Sequence, residues 1–126
     1  NKNKKLLGCK NVEFFNQDIF MYNRPKVDLI LCNPPYLANH EIQNLEQSIK
    51  QNEPMSALTD FKNGISFYKY LISNFNNLIK TNGVMLLEIP FSSVTKDIIS
   101  INENFNSNKS VLYKDLEGKN RVIKIY

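Results

Sequence analysis

A short apolar run that ends at two prolines constrains the fold of this chain more than any other feature. Residues Val27–Cys32 are apolar except for Asp28, and Asn33-Pro34-Pro35-Tyr36 follows directly. A continuous apolar run of this length is typical of a strand buried on both faces of a parallel sheet. Proline fixes its own backbone angle and lacks an N–H, so the strand ends there. The pattern predicts an interior parallel strand with a rigid loop at its carboxyl end.

Four further strands are predicted from runs of strand length. Residues 12–17 form a short run that ends at the acidic Asp18, and residues 84–89 form a mainly apolar run that ends at a proline. Residues 110–114 and 121–126 are joined by a turn-rich segment, which predicts an antiparallel hairpin.

Apolar residues at helical spacing predict two long helices. One covers residues 64–79 and stops at Asn82-Gly83, and the other covers residues 94–105 and is closed by the Asn-rich stretch 102–108. Residues 37–62 are polar and are predicted to form a loop with one short helix, long enough to act as a lid. The alternation of strands and helices indicates an α/β domain with a mostly parallel sheet.

The composition fits one compact domain or part of a larger one. Of the 126 residues, 42% are hydrophobic and 22% charged, and no apolar stretch approaches the roughly 20 residues of a membrane helix. The two cysteines lack metal-ligand spacing, so no metal site is predicted, and reduced thiols fit a cytoplasmic location. Scattered lysines give a net charge of +4, which permits an acidic or nucleic-acid partner without requiring one. Because the chain begins with Asn1 in a polar segment, we infer an N-terminal truncation.

The chemistry of Asn33-Pro34-Pro35-Tyr36 follows from its donors and acceptors. The side-chain oxygen of Asn33 and the carbonyl of Pro34 can together accept both hydrogens of a planar NH₂ group, and Tyr36 can lie against its face. Acceptors that pull on the N–H bonds favour the pyramidal, more nucleophilic nitrogen, so the stabilisation grows in the transition state of attack on an electrophile. The proton can leave afterwards, so no general base is required before attack. The segment therefore suits an amide or an aromatic amine as the nucleophile.

Four motifs occur in order along the chain: Val27–Ile30 leading into Asn33–Tyr36, then Glu53–Leu58, then residues 82–89, and then residues 115–123. In this order they resemble the motifs of the HemK/PrmC-type protein-(glutamine-N5) methyltransferases, which belong to the class I S-adenosylmethionine-dependent methyltransferases. The first resembles the family's substrate-amide motif and the second its Glu-Pro-x-x-Ala-Leu segment. The last two resemble its later strands and its C-terminal turn.

The resemblance implies a fold, a cofactor and a set of site residues. The fold would be a Rossmann-like class I methyltransferase sheet, mostly parallel with a C-terminal antiparallel hairpin and lacking its first two strands. Residues 1–126 would be the C-terminal portion of a single catalytic domain. Asn33–Tyr36 would hold the substrate amide, with Asn33 also near the S-adenosylmethionine. Asp18 and Ile19 would meet the adenine of that cofactor, and no metal is implied.

The resemblance also implies a substrate, the glutamine amide in the Gly-Gly-Gln motif of peptide chain release factors. The family's Gly-rich cofactor loop and ribose-binding acid belong to the missing N-terminal half. The 126 residues alone are therefore expected to be unstable as a monomer, inactive and without appreciable cofactor affinity, with the strand at residues 12–17 lacking its neighbours. Two segments depart from the family: residues 59–64 lack its glycines, and Pro90-Phe91 stands where a glycine is usual.

Two other functions stay open. The same acceptors suit the exocyclic amine of adenine (N6) or guanine (N2), so a nucleic-acid methyltransferase is one alternative, although no basic groove is visible in the sequence. An inactive fragment or binding module, in which Asn33–Tyr36 only ends a strand, is the other. Glu53 could position the lid or cap a turn, and Glu88 could face a site or pair with a lysine. His40 is predicted to be solvated and Tyr68 to belong to the core.

Overall fold

Four strands form one mixed sheet, and helices pack against one of its faces. A computed structural model describes residues 2–92, 94–105 and 109–126. Its strands are β1 (Val27–Cys32), β2 (Ile79–Glu88), β3 (Ser110–Lys114) and β4 (Asn120–Ile125). They lie in the order β1-β2-β4-β3, with β1 parallel to β2 and the other two neighbouring pairs antiparallel. The predicted α/β class and the C-terminal hairpin are confirmed.

Helices, most of them short, precede the first strand and occupy connections between the strands. In the described ranges they are α1 (Lys2–Leu6), α2 (Asn39–Ile42), α3 (Gln47–Asn52), α4 (Met55–Leu58), α5 (Ser66–Ser73), α6 (Phe75–Leu78) and α7 (Val94–Phe105). The last has 12 residues and matches its predicted range, whereas residues 106–108 of the predicted closing stretch lie outside the described residues. No helix in the described part of the chain is long and apolar enough to traverse a bilayer.

The core lies between the sheet and helices α5, α6 and α7. Successive side chains of a strand point to opposite faces, so β2 and β4 turn every second residue toward these helices. The largest fully buried hydrophobic residues are Tyr68, Leu71, Ile72, Met85, Leu87, Ile89, Ile98, Ile123 and Ile125. Burial of one such aliphatic side chain contributes about 1.5–3 kcal/mol relative to exposure. The contacts on this one face therefore hold the sheet and the helices together.

The first strand spans the predicted residues but is not buried on both faces. Ile30 and Cys32 pack against the core, whereas Leu29 is 49% and Leu31 71% exposed on the opposite face. Within residues 2–92, 94–105 and 109–126, only β2 pairs with β1, which is therefore an edge strand. The prediction of burial on both faces was wrong for this part of the chain, because no described element covers the outer face. The free edge agrees with the expectation that strands of the sheet are missing.

Residues 12–18 do not form the predicted strand. They are irregular and mostly exposed, and a 3₁₀ turn at Ile19–Met21 follows them. A strand needs a neighbour to satisfy its backbone N–H and C=O groups, and no described strand pairs with this segment. Phe15 instead lies under the guanidinium of Arg24, whose Cζ is 3.5 Å from the ring centroid.

The predicted helix over residues 64–79 is divided. It breaks at Asn74 between α5 and α6, and from Ile79 onward the chain belongs to β2. The Nδ2 and the backbone N–H of Asn74 both donate to the carbonyl oxygen of Tyr70 at 3.0 Å, so Asn74 caps the C-terminal end of α5. Asn82-Gly83, predicted as the helix stop, lies within β2, where Asn82 has a φ of +66° and the pairing with β1 is irregular.

Candidate active site

Residues 37–62, the lid, carry three short helices, α2, α3 and α4, where one was predicted. The two ends of the lid are joined by backbone hydrogen bonds. The N–H of Leu37 donates to the carbonyl of Leu58 at 2.9 Å, and the N–H of Asn39 donates to the carbonyl of Lys62 at 2.9 Å. The lid therefore leaves and rejoins the rest of the chain at the carboxyl end of β1.

Asn33–Tyr36 forms the turn between β1 and the lid. Pro34 is buried, Pro35 and Tyr36 are half-buried, and Asn33 is exposed. The carboxyl ends of neighbouring parallel strands are where open α/β sheets place their ligand sites. The segment therefore occupies the position that the sequence predicts for it, next to the carboxyl end of β2.

A cleft of about 280 Å³ separates Asn33–Tyr36 from the lid. Its remaining lining residues come from the lid and are apolar: Leu37, Leu45, Ile49, Ala57 and Leu58. The cleft thus has one wall with polar groups and one hydrophobic wall. Such a combination suits a ligand with a short aliphatic stem and a polar end.

Two residues that line this cleft carry acceptors for which the described part of the chain offers no hydrogen-bond donor. Among the described residues, no hydrogen bond engages the side chain of Asn33 or the carbonyl oxygen of Pro34. Both residues line the cleft. A carbonyl or amide oxygen that is free in a partly enclosed cleft is available to accept a hydrogen bond from a ligand. That the two oxygens hold both hydrogens of a planar NH₂ group stays a prediction.

Glu88 lies at the end of β2, beside Asn33. Cys32 pairs with Leu87 in the parallel register. The residues that follow them, Asn33 and Glu88, are therefore neighbours at the ends of the two strands. Both line a cavity of about 370 Å³ on the open face of the sheet, together with Leu31, Cys32, Leu86 and Val122. No ion pair described for residues 2–92, 94–105 and 109–126 includes Glu88. Glu88 therefore lines this cavity and takes no part in a described ion pair, and a role in a functional site stays a prediction.

Gly64 packs directly on Tyr36. A Cβ built on Gly64 would lie 2.8 Å from the carbonyl carbon of Tyr36 and still closer to its carbonyl oxygen. The φ of Gly64 is +80°, a conformation that residues with a side chain rarely adopt. In the sequence, the one signal of this glycine is its place directly before an amphipathic helix, which does not mark it as a site residue. The glycine allows the backbone after the lid to approach Asn33–Tyr36.

Tyr68 supports the site from the core side. Its hydroxyl donates to the carbonyl oxygen of Glu88 at 2.7 Å, and the residue is fully buried, as predicted. Burial raises the pKa of Tyr68 far above its ordinary value, and the nearby ionisable groups of Tyr36, Cys32 and Glu88 raise it further. The hydroxyl therefore stays protonated and remains a donor throughout the physiological pH range.

Replacing Tyr68 with phenylalanine is expected to lower the free energy of unfolding by about 1–2 kcal/mol, because the Glu88 carbonyl loses its buried donor. Urea unfolding of the full-length protein measures this change. The matched control is Tyr113→Phe, since Tyr113 is exposed on β3 and its loss of a hydroxyl is expected to stay within about 0.5 kcal/mol. Equal effects of the two changes would contradict a supporting role for the Tyr68 hydroxyl.

Asp18 and Ile19 lie in a different segment from Asn33. The Oδ1 of Asp18 accepts the N–H of Phe20 at 3.0 Å and so caps the 3₁₀ turn, while Ile19 packs against the core. The ring of Phe20 contacts Phe67, with centroids 4.9 Å apart, which anchors the turn to α5. Neither Asp18 nor Ile19 lines the two cavities that contain Asn33. Their contact with an adenine ring stays a prediction.

The other candidate side chains are exposed. Glu53 follows α3, and its backbone N–H donates to the carbonyl of Ile49 at 2.9 Å, so it ends this helix within the lid. His40 is exposed on α2. In the described ranges, no three His, Cys, Asp or Glu side chains lie close enough together to hold a metal ion.

Curated proteins of known name are similar to this chain over nearly its whole length, while no protein-family model matches it. A release factor glutamine methyltransferase of Fusobacterium nucleatum is 34% identical over 124 residues, which cover 97% of this chain and 35% of the relative. One of Bacillus subtilis is 32% identical over 126 residues, covering 96% and 43%. A bifunctional methyltransferase of Rickettsia typhi is 38% identical over 105 residues, covering 82% and 20%.

The matches show how much of these longer proteins the chain represents. It spans between 20% and 43% of the length of these three relatives. In the release factor glutamine methyltransferases, the matched region is the C-terminal part. Over about 97% of its length, the chain is therefore similar to the C-terminal part of release factor glutamine methyltransferases.

Proposed function

We propose that the full-length protein that carries these residues transfers a methyl group from S-adenosylmethionine to N5 of the glutamine in the Gly-Gly-Gln motif of peptide chain release factors. Residues 1–126 supply the C-terminal portion of one catalytic domain. The names of the relatives support methyl transfer to release factor glutamine. We place the reaction in the cytoplasm, because release factors act there.

One observation carries this proposal. Asn33 and Pro34, two residues whose acceptors are unpaired, line a cleft at the carboxyl end of β1, and the opposite wall of that cleft is apolar. A glutamine side chain has two methylene groups and one planar NH₂ group. Its methylenes fit against Leu45 and Ile49, while its amide meets Asn33. The match of these two surfaces supports glutamine as the substrate side chain.

The residues of this chain would bind and orient the nucleophile, which is the amide nitrogen of the glutamine. Oδ1 of Asn33 and the carbonyl oxygen of Pro34 accept the two N–H groups of the amide and orient its nitrogen, and Tyr36 packs against the amide plane. When bound, S-adenosylmethionine supplies an electrophilic methyl group, and the electron pair of the breaking C–S bond stays on sulfur. As the N–C bond forms, positive charge develops on nitrogen, and the two acceptors stabilise it. The nitrogen then loses one proton to solvent and becomes a neutral secondary amide.

The residues present fit one side of this cofactor. Asn33 lines both the lid cleft and the open-face cavity, so it can contact an amide and a cofactor from one position. Only Oδ1 of the exposed Asp18 takes part in a described hydrogen bond, which leaves Oδ2 for the amine of adenine. The four glycines stand singly along the sequence and do not form a glycine-rich loop. The rest of the cofactor would therefore be enclosed by other parts of the full-length protein.

Methyl transfer by the full-length protein tests this proposal. S-adenosylmethionine labelled in its methyl group is offered with a release factor, with the same release factor carrying Gln→Glu in its Gly-Gly-Gln motif, and with single-stranded and duplex DNA and RNA. We expect label on the unaltered release factor alone, at the glutamine side chain. Mass spectrometry of the peptide that contains the motif identifies the methylated atom.

The other outcomes each overturn the proposal. Label on nucleic acid would indicate the exocyclic amine of a base as the acceptor. Label on the Gln→Glu release factor would place the methyl group elsewhere on that protein. No label on any substrate would favour a binding module.

A further inference from the structure

Asp60 holds together the segment that follows the lid. Its Oδ1 accepts the backbone N–H groups of Lys62 and Gly64, each at 2.9 Å, and its Oδ2 accepts the N–H of Ser66 at 3.0 Å. One carboxylate therefore satisfies three backbone donors within seven residues. Hydrogen bonds to a charged acceptor are roughly twice as strong as those between neutral groups.

This segment contains strained backbone that needs such support. Phe61 has a φ of +58°, although it carries a large side chain. Its N–H donates to Oγ1 of Thr59 at 3.0 Å, and Thr59 is almost fully buried. A non-glycine residue in this region costs of order 1–3 kcal/mol and persists only where its surroundings fix it. The glycine-poor residues 59–64 thus adopt their turn through side-chain acceptors.

The same segment delivers Gly64 to the back of Tyr36. The backbone N–H of Gly64 donates to Asp60, and so does that of Ser66, two residues further along the chain. Gly64 approaches the carbonyl of Tyr36 so closely that a methyl group would not fit. A movement of residues 62–66 toward Tyr36 would therefore displace its carbonyl, and the rigid prolines would carry the displacement toward Asn33.

The charge of Asp60 is stable. Burial raises the pKa of its carboxyl, but hydrogen bonds from the Ser66 hydroxyl and from the N–H groups of Gly64, Ser66 and Lys62 outweigh burial and leave the pKa below its usual value. Both oxygens are occupied by backbone donors. The carboxylate is thus not available to act as a base toward a ligand.

We propose that Asp60 is a positioning residue for methyl transfer: its carboxylate fixes residues 62–66 against Tyr36 and so sets the orientation of the amide acceptors Asn33 and Pro34. This role rests on the proposed glutamine methyltransferase function.

The test compares Asp60→Asn with Asp115→Asn in the full-length protein. Asp115 is a matched control, because its Oδ1 accepts the N–H groups of Glu117 and Lys119, each at 3.0 Å, in the hairpin turn. None of the residues that line the lid cleft belongs to that turn. Both variants lose a carboxylate that organises a turn, but only Asp60 supports the cleft.

We expect Asp60→Asn to lower kcat/KM for the release factor about tenfold and Asp60→Ala about a hundredfold, since a misplacement of about 1 Å can cost two orders of magnitude. The KM for S-adenosylmethionine stays unchanged. Asp115→Asn lowers the melting temperature without changing kcat/KM. Unchanged kcat/KM in Asp60→Asn, or an equal loss of activity in both variants, would overturn the positioning role.

Amide hydrogen exchange separates failure of this inference from failure of the proposed function. In Asp60→Asn we expect faster exchange at Gly64, Ser66 and Leu37, whereas in Asp115→Asn these amides exchange as in the unaltered protein. If the unaltered protein transfers no methyl group to a release factor, the proposed function fails while this measurement still tests the Asp60 contacts. If exchange at Gly64 is unchanged in Asp60→Asn, the inference fails whatever the substrate.

Discussion

Replacing Gly64 with alanine is expected to destabilise the full-length protein by more than about 4 kcal/mol, an effect that few single substitutions reach. The added methyl group would lie 2.8 Å from the carbonyl carbon of Tyr36, and the φ of +80° is itself unfavourable for alanine. Neither the backbone of Tyr36 nor that of residue 64 can move freely, because prolines precede one and Asp60 holds the other. Urea or thermal unfolding measures the loss.

Gly118→Ala is the matched control for this change. Gly118 has a φ of +79°, almost the same as that of Gly64, but no atom lies within 4 Å of a Cβ built on it. Alanine at position 118 is therefore expected to lower the free energy of unfolding only by the cost of its positive φ, about 1–2 kcal/mol. The difference between the two variants therefore isolates the contact with Tyr36. If Gly64→Ala lowers the free energy of unfolding no more than Gly118→Ala does, the Tyr36 carbonyl can move away from the added methyl group at little cost.

The second large effect is expected from Asn33→Ala, which removes one of the two acceptors proposed to hold the substrate amide. We expect kcat for methylation of the release factor to fall by about 10²–10³, the usual cost of losing one preorganised hydrogen-bonding group in a transition state. Asn33 is exposed and its side chain has no described protein partner, so the free energy of unfolding is expected to change by less than about 0.5 kcal/mol. Steady-state kinetics and urea unfolding of the same sample measure both quantities.

Asn44→Ala provides the comparison, because Asn44 is also an exposed asparagine but does not line the cleft. It is expected to leave both kcat and stability unchanged. A large loss of stability in Asn33→Ala would indicate a structural role for its side chain. Full activity of Asn33→Ala would remove the acceptor pair from the mechanism and weaken the assignment of glutamine as the substrate.

The elements that could be predicted from the sequence are those whose partners are present in the described chain. The amphipathic run 94–105 forms α7 as expected, because its apolar face packs on the sheet. The hairpin at the C-terminal end also forms, since its turn is local. Residues 12–17 carry an equally plausible strand pattern but find no neighbour. A periodicity therefore predicts what a segment can form, and its partners decide whether it does so.

The predicted helix over residues 64–79 shows a second limit of prediction from the sequence. Its apolar spacing continues through both α5 and α6, so periodicity alone gives no break. The break lies at Asn74, whose side chain and backbone N–H both donate to the Tyr70 carbonyl, and the early start of β2 at Ile79 accompanies pairing with Val27 of β1. The first is a local contact at the end of a helix. The second is a tertiary contact, which a linear pattern does not contain.

The residues of the candidate site also differ in whether the sequence alone could predict them. The tetrapeptide Asn33–Tyr36 was recognisable because rigid prolines and an amide at a strand end are unusual in themselves. Gly64, Asp60 and Tyr68 support it from 24 to 35 residues further along the chain, where each has a common structural explanation. Their relation to the site becomes visible only when the lid closes on itself and brings residues 58 and 62 back to residues 37 and 39.

The place of β4 in the sheet affects how the protein can be synthesised. β4 is the last of the four strands to leave the ribosome, yet it lies between β2 and β3. Domains made from the N-terminus can fold only when their interior elements have emerged. A nascent chain that stops before Asn120 would leave β3 without its partner and would uncover Leu87 on β2. Premature termination or proteolysis near this point therefore removes an interior strand, and we expect cellular proteases to clear the shortened chains rapidly.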